Sequence, residues 1–425
     1  MYDAPSWSGS HFGWGEGMGH GNAPTIVRNA GQLAQPLATS IPITIFTIAA
    51  LALPLATAQA LGLTSRQTSA WIFALYAAPG LASIALTLAY RQPLLVAWHT
   101  AVVAFVASLA QTVPYSDILG GMLVAGLVVA ALGALGLTTR VAALVPTAVV
   151  FGVVAGNVLP FVIGTFEALQ GEGLLVGAVL AAFVLGRRAL HPRVPPILPA
   201  LVVGLALAAA TGRLHGTATG WTWPDLALVG PSFNPAAILT VVPVAVPLIA
   251  LHSNLTAVAY LRSESYVPPA RAIEVTTGVA TMVASLFGPS PICMGAIVTP
   301  LTAGPEAGER AVRPWSVYAS ALGFLLVAVA AGVAADLPAL LPLPLLLAIA
   351  GLALLGVLSQ ALTQVVTGPL RLGPLVAFAV ASSNLSLFGL GPAFWALVLG
   401  TIASFVAEPA AVRTAGGAES RTPPT

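Results

Sequence analysis

Charged residues are scarce in this sequence. Only 7% of its 425 residues are Asp, Glu, Lys or Arg, and all fifteen basic residues are arginine. A soluble domain carries about 25% charged residues, so water could not solvate a surface made from this composition. With 58% hydrophobic residues and a mean hydropathy of +0.95, the chain is predicted to be a polytopic membrane protein. The apolar runs are continuous rather than alternating, which predicts an all-α protein and not a β-barrel.

Cysteine and catalytic motifs are also lacking. The single cysteine, Cys293, excludes an internal disulfide and a cysteine-based metal cage. The sequence contains no His-Glu-x-x-His, P-loop or Gly-x-Ser-x-Gly motif, so we expect neither an enzyme nor a bound cofactor or metal. The net charge of +2 is too small to indicate a nucleic-acid partner. Residues 1–36 lack the apolar stretch of a signal peptide, and we interpret them as a loose cytoplasmic tail.

Long apolar stretches predict about fourteen transmembrane segments. A polar loop at 212–234, expected on the periplasmic side, separates the first seven from the last seven, and residues 408–425 form a second cytoplasmic tail. The segments lie at approximately 37–61, 68–90, 94–111, 116–137, 146–168, 172–187, 194–211, 235–262, 268–287, 290–304, 314–334, 339–358, 372–388 and 390–407.

The arginines support this arrangement. With the N-terminus in the cytoplasm, thirteen of the fifteen arginines fall in cytoplasmic segments, and only Arg66 and Arg213 fall outside. An excess of basic residues is typical of cytoplasmic loops. We therefore predict a multi-pass protein of the bacterial cytoplasmic (inner) membrane, with both termini in the cytoplasm.

The two halves are predicted to be inverted repeats, 37–211 and 235–407. Because each half has seven segments, the second half enters the membrane from the opposite side. Segments three and ten occupy equivalent places in these repeats, and both are short and interrupted by proline or glycine. Corresponding interrupted segments in two repeats are the best sequence indication of a transporter's substrate site.

Each interrupted segment is predicted to be a short extended stretch followed by a half-helix. Pro93 in segment three, and Pro289 and Pro291 in segment ten, disfavour helix where they stand. In segment three, helix is expected to resume near His99 and Thr100, with Thr100 as the candidate N-cap. In segment ten, a half-helix is expected to start near Cys293. The alternative is that these prolines only kink packed helices.

The two half-helix starts form a candidate anion site. A helix N-terminus binds anions through its unpaired backbone N–H groups and its dipole. Both starts are predicted to approach one point near the membrane midplane. The candidate substrate-binding residues here are Trp98, His99, Thr100, Ser290, Cys293, Met294 and Gly295.

Segment eight carries a polar triplet, His252, Ser253 and Asn254, well inside an apolar stretch. Polar groups at membrane depth are costly and usually face a cavity or a partner. On an α-helix His252 and Asn254 point about 200° apart, so one of them is expected to face the substrate. We predict Asn254, with Ser253 beside it. The alternative is that these groups only join neighbouring helices.

Two histidines are the candidate proton carriers. No acidic residue lies in the middle of a predicted segment, which leaves His99 and His252 as groups that titrate near neutral pH. The alternative for each is a neutral core histidine bound to a carbonyl. Glu274, near the start of segment nine, is expected to form a surface pair with Arg271.

Three stretches resemble the benzoate–proton symporters of the BenE type. They are Tyr90–Thr100, then Leu286–Gly288 with Pro305–Ala307 and Arg313, and finally Gly391–Leu397. The resemblance spans roughly residues 37 to 407 and implies the seven-plus-seven inverted-repeat fold of nucleobase and sulfate-type transporters. It also implies a core domain at 37–137 and 235–334, a gate domain at 141–211 and 339–407, and a substrate between segments three and ten that faces segment eight.

This chain departs from the family pattern at the proposed site. The family commonly has a Gln-Asn pair where this chain has Ser253-Asn254, and it usually has a small hydroxyl residue in place of His99. The resemblance therefore favours a small organic anion similar to benzoate.

The sequence and the resemblance together predict a secondary active transporter, a proton-coupled symporter of a small aromatic carboxylate. The open alternatives are a carrier of another organic or inorganic anion, or of a nucleobase, on the same fold, and a passive anion channel. The expected partners are a small organic anion, a proton and the lipid bilayer. The oligomeric state stays open, with a homodimer as one alternative.

Overall fold

The computed structural model describes residues 30–110, 112–138, 146–189, 196–214, 220–383 and 385–412. Most of these residues are helical, and two short strands pair with each other. Nearly all of both predicted tails lies outside the described residues, as does the predicted cytoplasmic loop around Arg140.

The first half starts with two helices in line, which together make an apolar stretch of 30 residues, Gly31–Ala60. The third helix begins with a capping box, in which the side chains of Thr64 and Gln67 bind each other's backbone N–H. The elements of this half are α1 (Ala34–Ala50), α2 (Ala52–Ala60), α3 (Ser65–Tyr90), β1 (Val96–Trp98), α4 (Thr100–Ser108), α5 (Tyr115–Leu135), α6 (Thr147–Ala189) and α7 (Ile197–Ala210).

The second half repeats the order of helix, helix, strand and helix. It begins at Asn234, whose side-chain oxygen accepts the N–H of Ala236 at 2.9 Å, and Pro235 follows at the first helical position. Its elements are α8 (Pro235–Val246), a π-helix (Pro247–Leu255), α9 (Thr256–Ser263), α10 (Ala270–Ser285), β2 (Ile292–Met294), α11 (Thr299–Ala303), α12 (Pro314–Val329), α13 (Ala331–Leu340), α14 (Leu343–Thr367), α15 (Leu372–Ala381) and α16 (Pro392–Ala407).

Within the described residues, six helices are long and apolar enough to cross a membrane. A seventh span results if α12 and the start of α13, bent by 61° at their junction, are counted together, and α7, α15 and α16 are shorter apolar helices. Predicted segments five and six form one element, α6, which is kinked at Glu172 (φ −135°, ψ 49°). The number of fourteen transmembrane segments therefore stays a prediction. A segment that is partly extended contains no single helix long enough to cross a membrane, so counting long helices leaves it out.

The helices pack in two groups. In one, α10 lies along α5 and α3, and α3 also packs against α12 and α13. In the other, α6 lies along α14 and contacts α15 and α7. The assignment of these groups to a core domain and a gate domain that move against each other stays a prediction.

Small residues allow a close helix contact between α5 and α10. A Cβ atom built on Gly278 would lie 2.4 Å from the backbone nitrogen of Ala130 and 2.6 Å from the carbonyl oxygen of Gly126. Such close backbone approach through small residues is common between transmembrane helices. It also fixes the position of the α10 side chains described below.

This contact makes a substitution at Gly278 destabilising. Gly278→Val forces the two backbones apart, and we expect it to lower the free energy of unfolding by roughly 1–3 kcal/mol. Thermal unfolding of the purified protein in detergent measures the effect. Gly356→Ala is the control, because nothing lies within 4 Å of a Cβ at Gly356. Equal unfolding temperatures for Gly278→Val and the control would contradict this account of the packing.

Candidate functional site

The site is built around an antiparallel pair of very short strands. In this pair Val96 lies opposite Met294, Ala97 opposite Cys293, and Trp98 opposite Ile292. Two further bonds extend the ladder, from the N–H of His99 to the carbonyl of Pro291 and from that of Gly295 to the carbonyl of Leu95, both 2.9 Å long. The prolines before each strand explain why helix is absent there.

Hydroxyl groups satisfy the outer edges of both strands. The Ser83 hydroxyl of α3 accepts the N–H of Val96 at 2.8 Å, and its proton lies between the carbonyl of Pro79, at 2.7 Å, and that of Val96, at 3.2 Å. The Thr281 hydroxyl of α10 accepts the N–H of Ile292 at 3.0 Å and donates to the carbonyl of the same residue at 3.2 Å. Buried backbone groups need such partners, and an extended segment has none within itself. The neighbouring helices α3 and α10 therefore hold the strands in place.

The helix of segment three starts at the strand's end. The N-cap of α4 is His99, not Thr100 as expected, and its Nδ1 accepts the N–H of Val102 at 3.4 Å. The first N–H groups of α4 thus begin beside the strand pair, where the helix dipole places partial positive charge.

The helix of segment ten starts later than predicted. Cys293 and Met294 belong to β2, the chain turns at Gly295, and α11 begins only at Thr299 and has five residues. The prediction of a half-helix start near Cys293 is therefore wrong, because strand pairing already uses the backbone of that stretch. Segment ten contributes a strand and a turn to the site, and no helix dipole comparable to that of α4.

A cavity opens beside the strand pair. It encloses about 850 Å³ of empty space, its open mouth included, and none of its lining residues is charged. Its walls come from α1, segment three, α6, the π-helix, segment ten, α12 and α14. Most of the lining is apolar, and the polar side chains are Thr47, His99, Thr100, His252, Ser253, Cys293 and Gln360.

Most of the predicted site residues line this cavity: Trp98, His99, Thr100, His252, Ser253, Cys293, Met294 and Gly295. Two are elsewhere. Ser290 is buried and its hydroxyl donates to the carbonyl of Gly288 at 2.9 Å. Asn254 is only 1% exposed and does not line the cavity. On segment eight, His252 and Ser253 therefore face the cavity. The expectation that Asn254 faces it does not hold in this structure.

The two histidines are in direct contact. His99 Nε2 lies 3.0 Å from His252 Nδ1, and the edge of the His252 ring packs on Phe151 of α6 with the ring centroids 4.7 Å apart. Because His99 Nδ1 accepts the Val102 N–H, the proton of a neutral His99 lies on Nε2. That proton is donated to His252 Nδ1, which places the proton of a neutral His252 on its Nε2.

Asn254 joins segments eight, nine and ten behind the cavity. Its Oδ1 accepts the N–H of Met294 at 2.8 Å, and its Nδ2 donates to Thr277 Oγ1 at 2.9 Å and to Glu274 Oε2 at 3.3 Å. The amide therefore connects the strand that lines the cavity to helix α10.

Glu274 is not on the surface. It is only 4% exposed, and it forms no ion pair with Arg271 or with any other basic residue among the described ones. The expected surface pair is therefore wrong. The sequence did carry a signal: Glu274, Thr277, Thr281 and Ser285 recur at helical spacing and are all buried on one face of α10.

The fold and the cavity define a helical membrane transport protein. A family model described as benzoate membrane transport protein (BenE) matches residues 30–406, and the chain belongs to this family.

Two relatives match most of the chain. It is 30% identical to the inner membrane protein YdcO of Escherichia coli over 346 residues, which are 80% of this chain and 87% of that protein. It is 26% identical to the benzoate membrane transport protein of Acinetobacter baylyi over 382 residues, 89% of this chain and 94% of that protein. The chain is thus a multi-pass membrane transport protein.

Solved structures share the fold at low sequence identity. The transmembrane domain of the cyanobacterial bicarbonate transporter BicA is 19% identical, with 88% of this chain and 97% of that one covered and a TM-score of 0.52. The murine Solute Carrier 26 family member A9 anion transporter in its inward-facing state is 14% identical. The match covers 89% of this chain and 69% of that one, with a TM-score of 0.59. These similarities establish the fold alone.

The hydroxyls at the strand edges give a direct test of the site's construction. Thr281→Val keeps the side-chain shape but leaves the N–H and carbonyl of Ile292 without partners. We expect a loss of about 1–3 kcal/mol in the free energy of unfolding, measured by thermal unfolding in detergent. Thr363→Val is the matched control, since Thr363 is exposed and its hydroxyl binds only its own helix. A Thr281→Val protein as stable as this control would show that the strand edge has other support.

Proposed function

We propose that this protein is a proton-coupled symporter of a small aromatic carboxylate, with benzoate as the reference substrate. The observation that carries the proposal is the uncharged cavity, in which the N-terminus of α4 and a hydrogen-bonded histidine pair lie together. Membership of the benzoate membrane transport family, and the name of the Acinetobacter baylyi relative, support the substrate class.

The cavity suits an aromatic anion in two respects. Its walls include the rings of Phe46, Phe151 and Phe324, which offer apolar and edge-on contacts to a benzene ring. Its polar end carries Thr100 and Ala101 at the start of α4, where backbone N–H groups and the helix dipole attract a carboxylate. Because none of the lining residues carries a fixed charge, we propose that a proton supplies the counter-charge.

The histidine pair is the proposed carrier of that proton. In the neutral pair, each Nδ1 accepts a hydrogen bond, from Val102 in one ring and from His99 in the other. A further proton on His252 Nδ1 would place its N–H face to face with the N–H of His99 Nε2. A further proton on His99 Nδ1 would break the hydrogen bond from the Val102 N–H that caps α4. A bound carboxylate offsets these losses, because it pairs with the imidazolium. Proton and anion therefore favour each other's binding.

Coupling of one proton to one monovalent anion predicts transport without net charge. A membrane potential is worth about 2.3 kcal/mol per elementary charge per 100 mV, and here it supplies no driving force. In proteoliposomes we expect benzoate uptake to follow an imposed pH gradient, acidic on the side of entry, and to ignore an imposed potassium diffusion potential. Uptake that responds to the potential but not to the pH gradient would contradict the proposal.

Replacement of one histidine is expected to uncouple benzoate uptake from the proton gradient. His252→Gln keeps a hydrogen-bonding side chain beside His99 but removes a titratable ring. We expect the stimulation of uptake by the pH gradient to fall from about tenfold to less than about twofold, while exchange of labelled for unlabelled benzoate continues. Thr47→Val, another cavity residue, serves as the control and should keep the stimulation. An unchanged response in His252→Gln would place the proton elsewhere.

Counterflow separates a carrier from a passive channel. A carrier accelerates the uptake of labelled benzoate when unlabelled benzoate is present on the opposite side, and a channel does not. The same assay with a nucleobase as competitor tests the alternative substrate class, for which the cavity offers no carboxylate.

A further inference from the structure

We propose that Glu274 is a proton switch for the substrate site: it holds a proton in this conformation, and it acts on the cavity through Asn254 and β2. Because Glu274 does not line the cavity, its role is that of a positioning residue. The effect on substrate binding rests on the function proposed above, whereas the protonation of Glu274 does not.

The surroundings of Glu274 favour its neutral form. A buried carboxylate needs a cation or several hydrogen-bond donors to compensate for its lost hydration. Glu274 receives one long bond, 3.3 Å from Asn254 Nδ2, and the amide that donates it is shared with Thr277. A protonated carboxyl group carries no charge and loses much less hydration on burial, so these surroundings favour it over the carboxylate.

The neighbouring elements offer few other titratable groups. On α10 itself, Arg271 packs over Gly136 at the end of α5, with its guanidinium 3.0–3.4 Å from the Cβ position of that glycine. The part of α5 that packs on Glu274 is the apolar stretch around Gly133, and Tyr115 and Asp117 lie at the opposite end of α5. The remaining groups are His252 on the π-helix, Cys293 on β2, and Arg66, Tyr76, Tyr90 and the adjoining Arg91 on or beside α3, with Arg66 at the far end of α3 in an ion pair with Asp225.

The route from Glu274 to the cavity has two steps. Asn254 binds Glu274 with its Nδ2 and the N–H of Met294 with its Oδ1, at 2.8 Å. Met294 in turn pairs with Val96 and lines the cavity. A charge on Glu274 attracts the amide of Asn254, and any shift of that amide changes the hydrogen bond that holds β2.

Glu274 lies close to one end of the bundle. It is four residues from the start of α10, about 6 Å along the helix axis, and Arg271 in the first turn is exposed. By the arginine pattern this is the cytoplasmic end. The switch is therefore positioned to respond to the pH on the side where substrate is released.

Infrared spectroscopy of the whole purified protein tests the protonation directly. At neutral pH and without substrate, we expect the carbonyl band of a buried carboxylic acid, which loses intensity as the pH rises. The band should shift when glutamate is labelled with ¹³C and should be absent in Glu274→Gln. Glu264→Gln is the control, because Glu264 is an ion-paired carboxylate near the same end, 3.2 Å from Arg313. Among the described residues Glu274 is the one buried glutamate, so a ¹³C-sensitive acid band in the unaltered protein points to Glu274 even if Glu274→Gln does not fold.

Benzoate binding at several pH values tests the link to the cavity. We expect the affinity of the unaltered protein to fall about tenfold as the acid band disappears, and the same fall in Glu264→Gln. The histidine pair contributes its own fall in each of these proteins. In Glu274→Gln, where the amide imitates the protonated acid, only the part of the fall that follows the acid band should therefore be lost.

The outcomes separate the two proposals. Absence of a protonated glutamic acid at neutral pH, or an unchanged fall in affinity in Glu274→Gln, would overturn the proton switch. Failure of benzoate to bind to any of these proteins would overturn the proposed substrate and, with it, the link to the cavity, while the infrared result would still decide whether Glu274 holds a proton.

Discussion

The structure depends on how two extended segments satisfy their backbone polar groups inside a bundle of apolar helices. A helix satisfies these groups within itself, whereas an extended segment does not, and an unpaired group in hydrocarbon costs several kcal/mol. Here β1 and β2 pair with each other, and their outer edges bind Ser83, Thr281 and Asn254. Each of these three side chains therefore has a structural task that an apolar residue could not perform.

This constraint also explains why the cavity is where it is. The strand pair interrupts the helix packing and leaves space between the two groups of helices. Because the strands are short, the helix that follows β1 begins beside this space and points its N-terminus at it. The two halves do not contribute equally: segment three supplies the helix dipole and a histidine cap, and segment ten supplies a strand and a turn.

Part of this could be predicted from sequence. Proline spacing indicates extended stretches because its effect on the backbone is local, and the polar triplet at 252–254 stands out in an apolar run. Helical geometry correctly put His252 and Asn254 on opposite sides of segment eight, but it could not say which side faces the cavity. Asn254 was chosen because the family pattern retains it. In the π-helix that forms here, His252 lines the cavity and Asn254 binds α10 and β2 instead.

Glu274 shows a different limit of sequence reasoning. Its distance from Arg271 suggested a surface ion pair, but the close approach of α5 at Gly133 buries the carboxyl group. That approach depends on contacts between residues far apart in sequence. The polar stripe on α10 indicates a buried face, although not which neighbours it meets.

The central claim is that the strand pair forms the wall of the substrate cavity, and one measurement tests it directly. Ala97 and Cys293 lie opposite each other and both line the cavity, and directly paired residues on antiparallel strands have Cβ atoms about 4.5–5.5 Å apart. This separation is too wide for a direct disulfide but suits a short bifunctional thiol reagent such as methanediyl bismethanethiosulfonate. That reagent should cross-link Cys293 to the cysteine introduced in Ala97→Cys protein, detected by mass spectrometry, and benzoate should slow the reaction. No cross-link, or a rate that benzoate leaves unchanged, would contradict the account.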